Sequence, residues 1–320
     1  MITAKLIGPN VRTSDYLKQE FNRGDRQYSI SRSDLCDIAD NAHKWRAGAS
    51  NESTDATQWG SLVDAMLFGD FRHTYFILPE TYQDEKGNVK PWSGNSNVCK
   101  AIKADAESRG LIPVKRTDAD DARRAVDRLR DDFFASELLA GASTQVLVRG
   151  EYKDRATGIV VPLRALLDIV PGGNYCVTLC DLKCVADASP QTWGRQVVKY
   201  DWHTQAAFHG DLYRAATGEN RTEWLNLVQE SNPPYEVGRR HLSQALVQLG
   251  RSRYMQALTK YCRCLSENRW PGYDDSNAGD PIEGWTLIEP EAWMVDATMS
   301  KIERIVVPPE TRTEQGEVIP

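Results

Sequence analysis

Two apolar runs joined by a four-residue turn constrain this chain more than any other feature. The first covers 159–170 (IVVPLRALLDIV) and the second 174–184 (NYCVTLCDLKC), with Pro171-Gly172-Gly173 and Asn174 between them. Runs of this length, bounded by turn residues, read as neighbouring strands of a buried sheet. Side chains alternate along a strand, so Asp181 and Lys183 share a face with Val177 and Leu179. The simplest pairing through the turn sets Asp168 opposite Val177. Asp181 then lies four residues further along, about 13 Å at roughly 3.3 Å per residue. For both acids to serve one site, a bulge, a strong twist or a lopsided loop has to close that distance.

The rest of the chain supplies layers for such a sheet. Residues 1–30 read as a polar, irregular arm. Ser31-Arg32-Ser33-Asp34 then leads into a capped amphipathic helix with Leu35, Ile38, Ala39, Ala42 and Trp45 on its apolar side, ending near Gly48. A compact helix over 59–68 carries one acid, Asp64, in an apolar context, and 70–95 reads as an aromatic, turn-rich flap. Further helices are expected over 96–109, 117–139, 191–217 and 242–268, and further strands over 144–153, 222–230 and 234–241. The arginines at 123, 124, 128 and 130 alternate with aspartates, which favours a solvated face over a DNA-contacting one. Strands set between helices imply an α/β or α+β layer structure. A helical part (31–140) precedes a sheet core (144–273), and a Pro-, Gly- and acid-rich tail covers 274–320.

Composition narrows the partners. With 320 residues, 41% of them hydrophobic, the chain can bury a large core in one or two domains. A net charge of -6 argues against a generally basic protein that coats nucleic acid, while leaving room for a local basic groove. No run approaches the roughly 20 apolar residues of a membrane span, and the N-terminus lacks a signal peptide's apolar core, so a cytoplasmic protein is expected. Seven cysteines, an odd number, fit reduced thiols. Cys176, Cys180 and Cys184 face away from Lys183 and suit packing. Cys262 and Cys264 lack the CxxC spacing of a cluster site, so no iron–sulfur cluster is expected.

The chemistry sits at Asp168, Asp181 and Lys183. Phosphodiester hydrolysis needs an activated water and charge neutralisation on the phosphate. Carboxylates that hold divalent cations, with a lysine beside them, supply both. Residues alone leave a second reading open, in which the two acids are solvent-facing strand ends and Lys183 an ordinary edge charge. Arg164, four residues before Asp168, suits a phosphate contact or a structural ion pair equally well.

The order of short motifs along the chain resembles the PD-(D/E)xK nucleases, and within them the exonuclease VIII (RecE)-like enzymes of phages and prophages. The matching pieces are the Ser-x-Ser-x-Leu helix start at 31–35, Gly-Ser-Leu-Val at 60–63, the Thr-Gly and apolar strand at 157–163, and Arg164 with Asp168. Asp181-Leu182-Lys183, Thr204-Gln205-Ala206-Ala207-Phe208, Pro233-Pro234-Tyr235 and Asn268-Arg269-Trp270-Pro271-Gly272-Tyr273 follow. The resemblance implies an α/β, restriction-endonuclease-like core over 31–273, with a central mixed sheet flanked by helices, and a Mg²⁺- (or Mn²⁺-) dependent exonuclease. Its substrate would be linear double-stranded DNA, degraded 5′-to-3′ in phage-type recombination by a homo-oligomeric ring working with a single-strand annealing protein. Asp168, Asp181 and the Leu182 carbonyl would hold metal, Lys183 would orient or activate water, and Gln205 would fix the lysine or the phosphate. Asp64 stands where the family has a histidine ligand. The glutamate of the preceding strand has no clear match: Gln145 is nearest and uncharged, and Glu151 is a displaced candidate ligand. Ser31, Ser33, Arg164 and Tyr213 would contact DNA, and His209 replaces the family's tyrosine one turn after Gln205. These departures motivate the alternative of an inactive, nuclease-fold DNA-binding or assembly protein. A cluster-bearing Cas4-type relative is the third reading.

Overall fold

The computed structural model describes residues 1–49 and 54–273; the tail expected at 274–320 lies outside the described residues. In chain order the first elements are β1 (Ile2–Gly8), α1 (Thr13–Leu17), α2 (Arg32–Arg46), α3 (Asp55–Leu67) and α4 (Phe71–Thr74). Next come β2 (Tyr75–Ile77), β3 (Thr81–Gln83), β4 (Val89–Pro91), α5 (Asn97–Ser108), β5 (Ile112–Val114), α6 (Arg116–Asp131) and α7 (Phe133–Leu139). The second half contains β6 (Ser143–Lys153), β7 (Val160–Val170), β8 (Thr178–Val185), α8 (Pro190–Lys199), α9 (Trp202–Thr217), β9 (Glu223–Glu230), β10 (Val237–Leu242) and α10 (Gln244–Glu267).

Six strands form the central sheet in the order β1-β6-β7-β8-β9-β10. All neighbours are antiparallel except β8 and β9, which run parallel and are joined through α8 and α9. The sheet is therefore mixed, and each face needs a helical cover. On one face α2, α9 and α10 pack around Trp45, Phe208, Leu212, Tyr254 and Leu258; on the other, α3, α6 and α7 pack around Val63, Ala125, Leu129 and Leu138. β7 is apolar almost throughout because both faces are covered.

The start of α2 is tied down by polar bonds inside this core. Ser31 and Asp34 form a reciprocal capping box, and Asp34 Oδ1 also accepts from Trp45 Nε1 (2.9 Å) and Tyr28 Oη (3.1 Å). Trp45 meets Tyr28 and Tyr261 edge-on, at 5.6 and 5.5 Å between centroids. α9 and α10 cross very closely at Gly250, where a Cβ would drive into the His203 carbonyl. Asp211 on α9 then binds α10 through Arg251 Nε (2.6 Å), Arg251 Nη2 (2.8 Å) and Tyr254 Oη (2.6 Å). That pins the helix carrying Gln205.

Several boundaries differ from the sequence expectation. The polar arm is not wholly irregular: Ile2–Gly8 is an edge strand on β6, its pattern hidden because most of its side chains stay partly exposed. The helix expected over 117–139 breaks at Asp132, whose side chain caps α7 by accepting from Ala135 N. The helix expected over 191–217 breaks at Asp201, which takes a left-handed conformation (φ 55°). The expected flap contains α4 and three short strands, with β2 paired to β5 and β3 to β4. No helix among the described residues is long and apolar enough to cross a membrane.

Candidate active site

The register of β7 and β8 decides the site. Their paired position is Ile169 with Cys180, so the antiparallel register sets Asp168 opposite Asp181, not opposite Val177. The lopsided connection does this: Gly173–Tyr175 coils into a single 3₁₀ turn, and β8 begins only at Thr178. The shift of four residues removes the separation expected from the simple hairpin. Beyond that pair the two strands part, and the Asp168 carboxylate takes the main-chain partner's role. Its Oδ2 accepts from Leu182 N at 3.2 Å.

Asp181 is buried, with 1% of its surface exposed, and both its oxygens are engaged. Lys183 Nζ donates to Oδ2, and Gln205 Nε2 donates to Oδ1 at 2.5 Å. Lys183 Nζ also lies 3.5 Å from the Leu182 carbonyl oxygen and 5.8 Å from the centroid of the Trp202 ring. Arg32 Nη2, from the first turn of α2, reaches Gln205 Oε1 at 3.3 Å. A chain of contacts therefore runs from Arg32 through Gln205 to Asp181 and Lys183, joining three elements far apart in sequence.

Asp64 joins the cluster from the opposite helical layer. Burial pushes its carboxyl up to about 7; Lys183 counters this and Asp181 adds to it. The Asp168 carboxyl is raised well above its usual range, first by burial, then by the charges of Asp181 and Asp64. Three carboxylates thus act on one another with Lys183 as the cation among them. Among the described residues no three His, Cys, Asp or Glu side chains stand ready-arranged around a metal position, and both oxygens of Asp181 are engaged by Lys183 and Gln205. The chemistry of the donor set nevertheless fits a hard divalent cation. It offers carboxylate oxygens, a nearby main-chain carbonyl and negative charge in excess of its compensation.

With this geometry in view, the comparisons are specific. The sequence matches the PDDEXK-like domain of unknown function (DUF3799) over residues 29–279. The chain belongs to that family. A solved structure from Eubacterium rectale, described provisionally as an exonuclease, is similar over 90% of this chain and 98% of its own. The TM-score is 0.53 and the identity 16%, so this likeness speaks for the fold alone. No curated protein matches the sequence. The PDDEXK-like fold, with its mixed sheet between helical layers, agrees with the expectation from sequence.

Other residues singled out from the sequence fall elsewhere in this PDDEXK-like domain. Glu151 is exposed and pairs with Pro162, six positions along β6 from the residue facing Asp168, and so stands outside the carboxylate cluster. The position facing Asp168 is Gln145, at φ 48°, with a buried Oε1 that has no partner. Arg164 is 5% exposed, donates to the Tyr16 carbonyl and lies over the Tyr16 ring, and it has no carboxylate partner among the described residues, so it serves here as a structural tie. Ser31 is buried in its capping box, while Ser33 is exposed on the first turn of α2. Tyr213 is buried, donates to Glu219 Oε2 at 3.2 Å and is covered by Arg221. Neither Ser31 nor Tyr213 presents a surface to DNA. His209 is buried and held neutral, its imidazole pushed down to about 3 by burial. Arg32 and Trp202 were not foreseen; contacts across 173 residues of chain leave no trace in local spacing.

Proposed function

We propose that the chain is a divalent-metal-dependent deoxyribonuclease, acting as an exonuclease on the ends of linear double-stranded DNA. The observation that carries this reading is the direct opposition of Asp168 and Asp181, with Lys183 and Gln205 bound to the second acid. Asp168, Asp181 and the Leu182 carbonyl would hold Mg²⁺ or Mn²⁺, with Asp64 as a further oxygen donor. The bound ion would supply charge neutralisation on the phosphate and a water of lowered pKa.

The chain's own residues then have distinct tasks. Lys183, its ammonium held by Asp181, is placed to orient the attacking water and to offset charge on the phosphate. Gln205 fixes the rotamer of Asp181, and Arg32 fixes Gln205; supporting bonds of this kind set how precisely a ligand is aimed. Burial strengthens every charge interaction here relative to water. The 5′-to-3′ polarity, ring assembly and annealing partner belong to the same proposal through the family resemblance.

A linear duplex labelled at its 5′ or 3′ ends, incubated with Mg²⁺, tests the reading. Wild type should release label and Lys183→Ala should not; equal release by both would reject the assignment. A second reading is favoured by Gln145, the uncharged residue facing Asp168: a nuclease fold retained for DNA binding or assembly. Absence of degradation by wild type with Mg²⁺ and with Mn²⁺ would favour it.

A further inference from the structure

A groove of about 1110 Å³ lies on the far side of α3 from the sheet. It is bounded by α3, α5, β2, β5 and the turn after β9, and exceeds the roughly 300–1,000 Å³ of small-molecule pockets. Its walls combine two kinds of side chain. Trp59, Tyr75 and Trp92 present partly exposed aromatic rings, and Lys100, Lys103 and Lys115 stand exposed around them. Lys100 and Lys115 have no carboxylate partner among the described residues, and Lys103 makes only a 3.7 Å surface contact with Glu107. Asp55 and Asp118 also line the groove, but each sits in the first turn of a helix, where the helix dipole offsets its charge. Trp59 is stacked on Tyr235 at 6.2 Å and 15°, which fixes its ring, and its buried Nε1–H has no acceptor.

The groove and the carboxylate cluster share a wall. Trp59, Ser61 and Leu62 of α3 line the groove, and Asp64, on the same helix, belongs to the cluster. Tyr75 lies near enough to Asp64 for that carboxylate to raise its phenol, after burial, the larger cause. None of Asp64, Asp168, Asp181 and Lys183 lines the groove, so anything lying in it is one helix away from the site.

We propose that this groove binds single-stranded DNA, taking the uncut strand as it leaves the duplex end. Aromatic faces stack on bases of any sequence once those bases are unpaired, and lysines follow the phosphates; a duplex offers its edges and backbone but no free base faces. The assignment of the strand rests on the nuclease reading above, whereas binding of single strands by the groove does not.

Fluorescence anisotropy of an end-labelled oligo(dT) with the full chain in EDTA tests it. Trp92→Ala should weaken binding by about 5- to 150-fold, and Trp92→Tyr should restore most of it. Lys100→Ala with Lys103→Ala should weaken binding and flatten the slope of log affinity against log salt by about 1.4. No binding by wild type, or unchanged affinity in these variants with wild-type circular dichroism, would overturn the groove. The nuclease assay is read separately. A chain that cuts no DNA yet binds oligo(dT) through Trp92 keeps the groove and loses the nuclease reading. A chain that cuts DNA with unaltered binding by the variants does the reverse.

Discussion

Replacing Asp64 with asparagine should stabilise the metal-free protein. Asp64 is half-buried on α3, with its carboxyl pushed from the usual 3.8 up to about 7, chiefly by burial. An acid raised in this way binds its proton more tightly in the folded than in the unfolded chain. Stability therefore falls as pH rises from 3.8 to about 7, and the full penalty stands above that. The interval corresponds to about 4 kcal/mol as an upper bound. Solvent at the half-buried side chain reduces this to about 1–2 kcal/mol. With about 2.1 cal/mol/K of unfolding entropy per residue, each kcal/mol moves the Tm of a 320-residue chain by about 1.5 °C, so Asp64→Asn should melt about 1.5–3 °C higher at pH 8 in EDTA. The difference should vanish towards pH 4. Differential scanning fluorimetry across that range reads it directly. Added Mn²⁺ should reverse the order, because wild type gains a ligand that the variant lacks. A variant that melts below wild type at pH 8 in EDTA would refute the electrostatic reasoning.

Three further outcomes follow from named contacts. Lys183→Ala should lower the rate of end degradation by about 10²–10⁴-fold, and because it leaves buried Asp181 without its cation it should also lower Tm in EDTA, so label release is compared below the melting range of both proteins. Gln205→Ala removes the bond to Asp181 Oδ1, so metal affinity or rate should drop by about 10–100-fold, read from the Mn²⁺ dependence of label release. Gly250→Ala forces α10 away from the His203 carbonyl; it should cost about 1–3 kcal/mol of stability in urea melts and reduce label release by displacing the helix that holds Gln205.

What the sequence made legible follows from what is local. The β7 and β8 runs, the capping stretch at 31–34 and the apolar stripe to Trp45 could be read because alternation, capping and helical spacing act within a few residues. The identities of Asp168, Asp181 and Lys183 were visible for the same reason. Their convergence was not, because it depends on a 3₁₀ turn at Gly173–Tyr175 that moves the register by four residues. A turn sequence suggests that the chain reverses but leaves open how many residues each strand loses to it. β1 escaped notice because an edge strand with one half-covered face has weak alternation. Arg164, Ser31 and Tyr213 looked available to DNA only because sequence carries no record of burial. Tyr16, the capping box and Glu219 occupy them. Arg32 reaches Gln205 through tertiary packing alone.

The most direct measurement is anomalous diffraction from a crystal soaked in Mn²⁺. A peak is expected between the Asp168 and Asp181 carboxylates, about 2.0–2.2 Å from an oxygen of each, with the Leu182 carbonyl beside it and Lys183 moved off Asp181. An ion bound elsewhere, or none with both acids still facing each other, would contradict it.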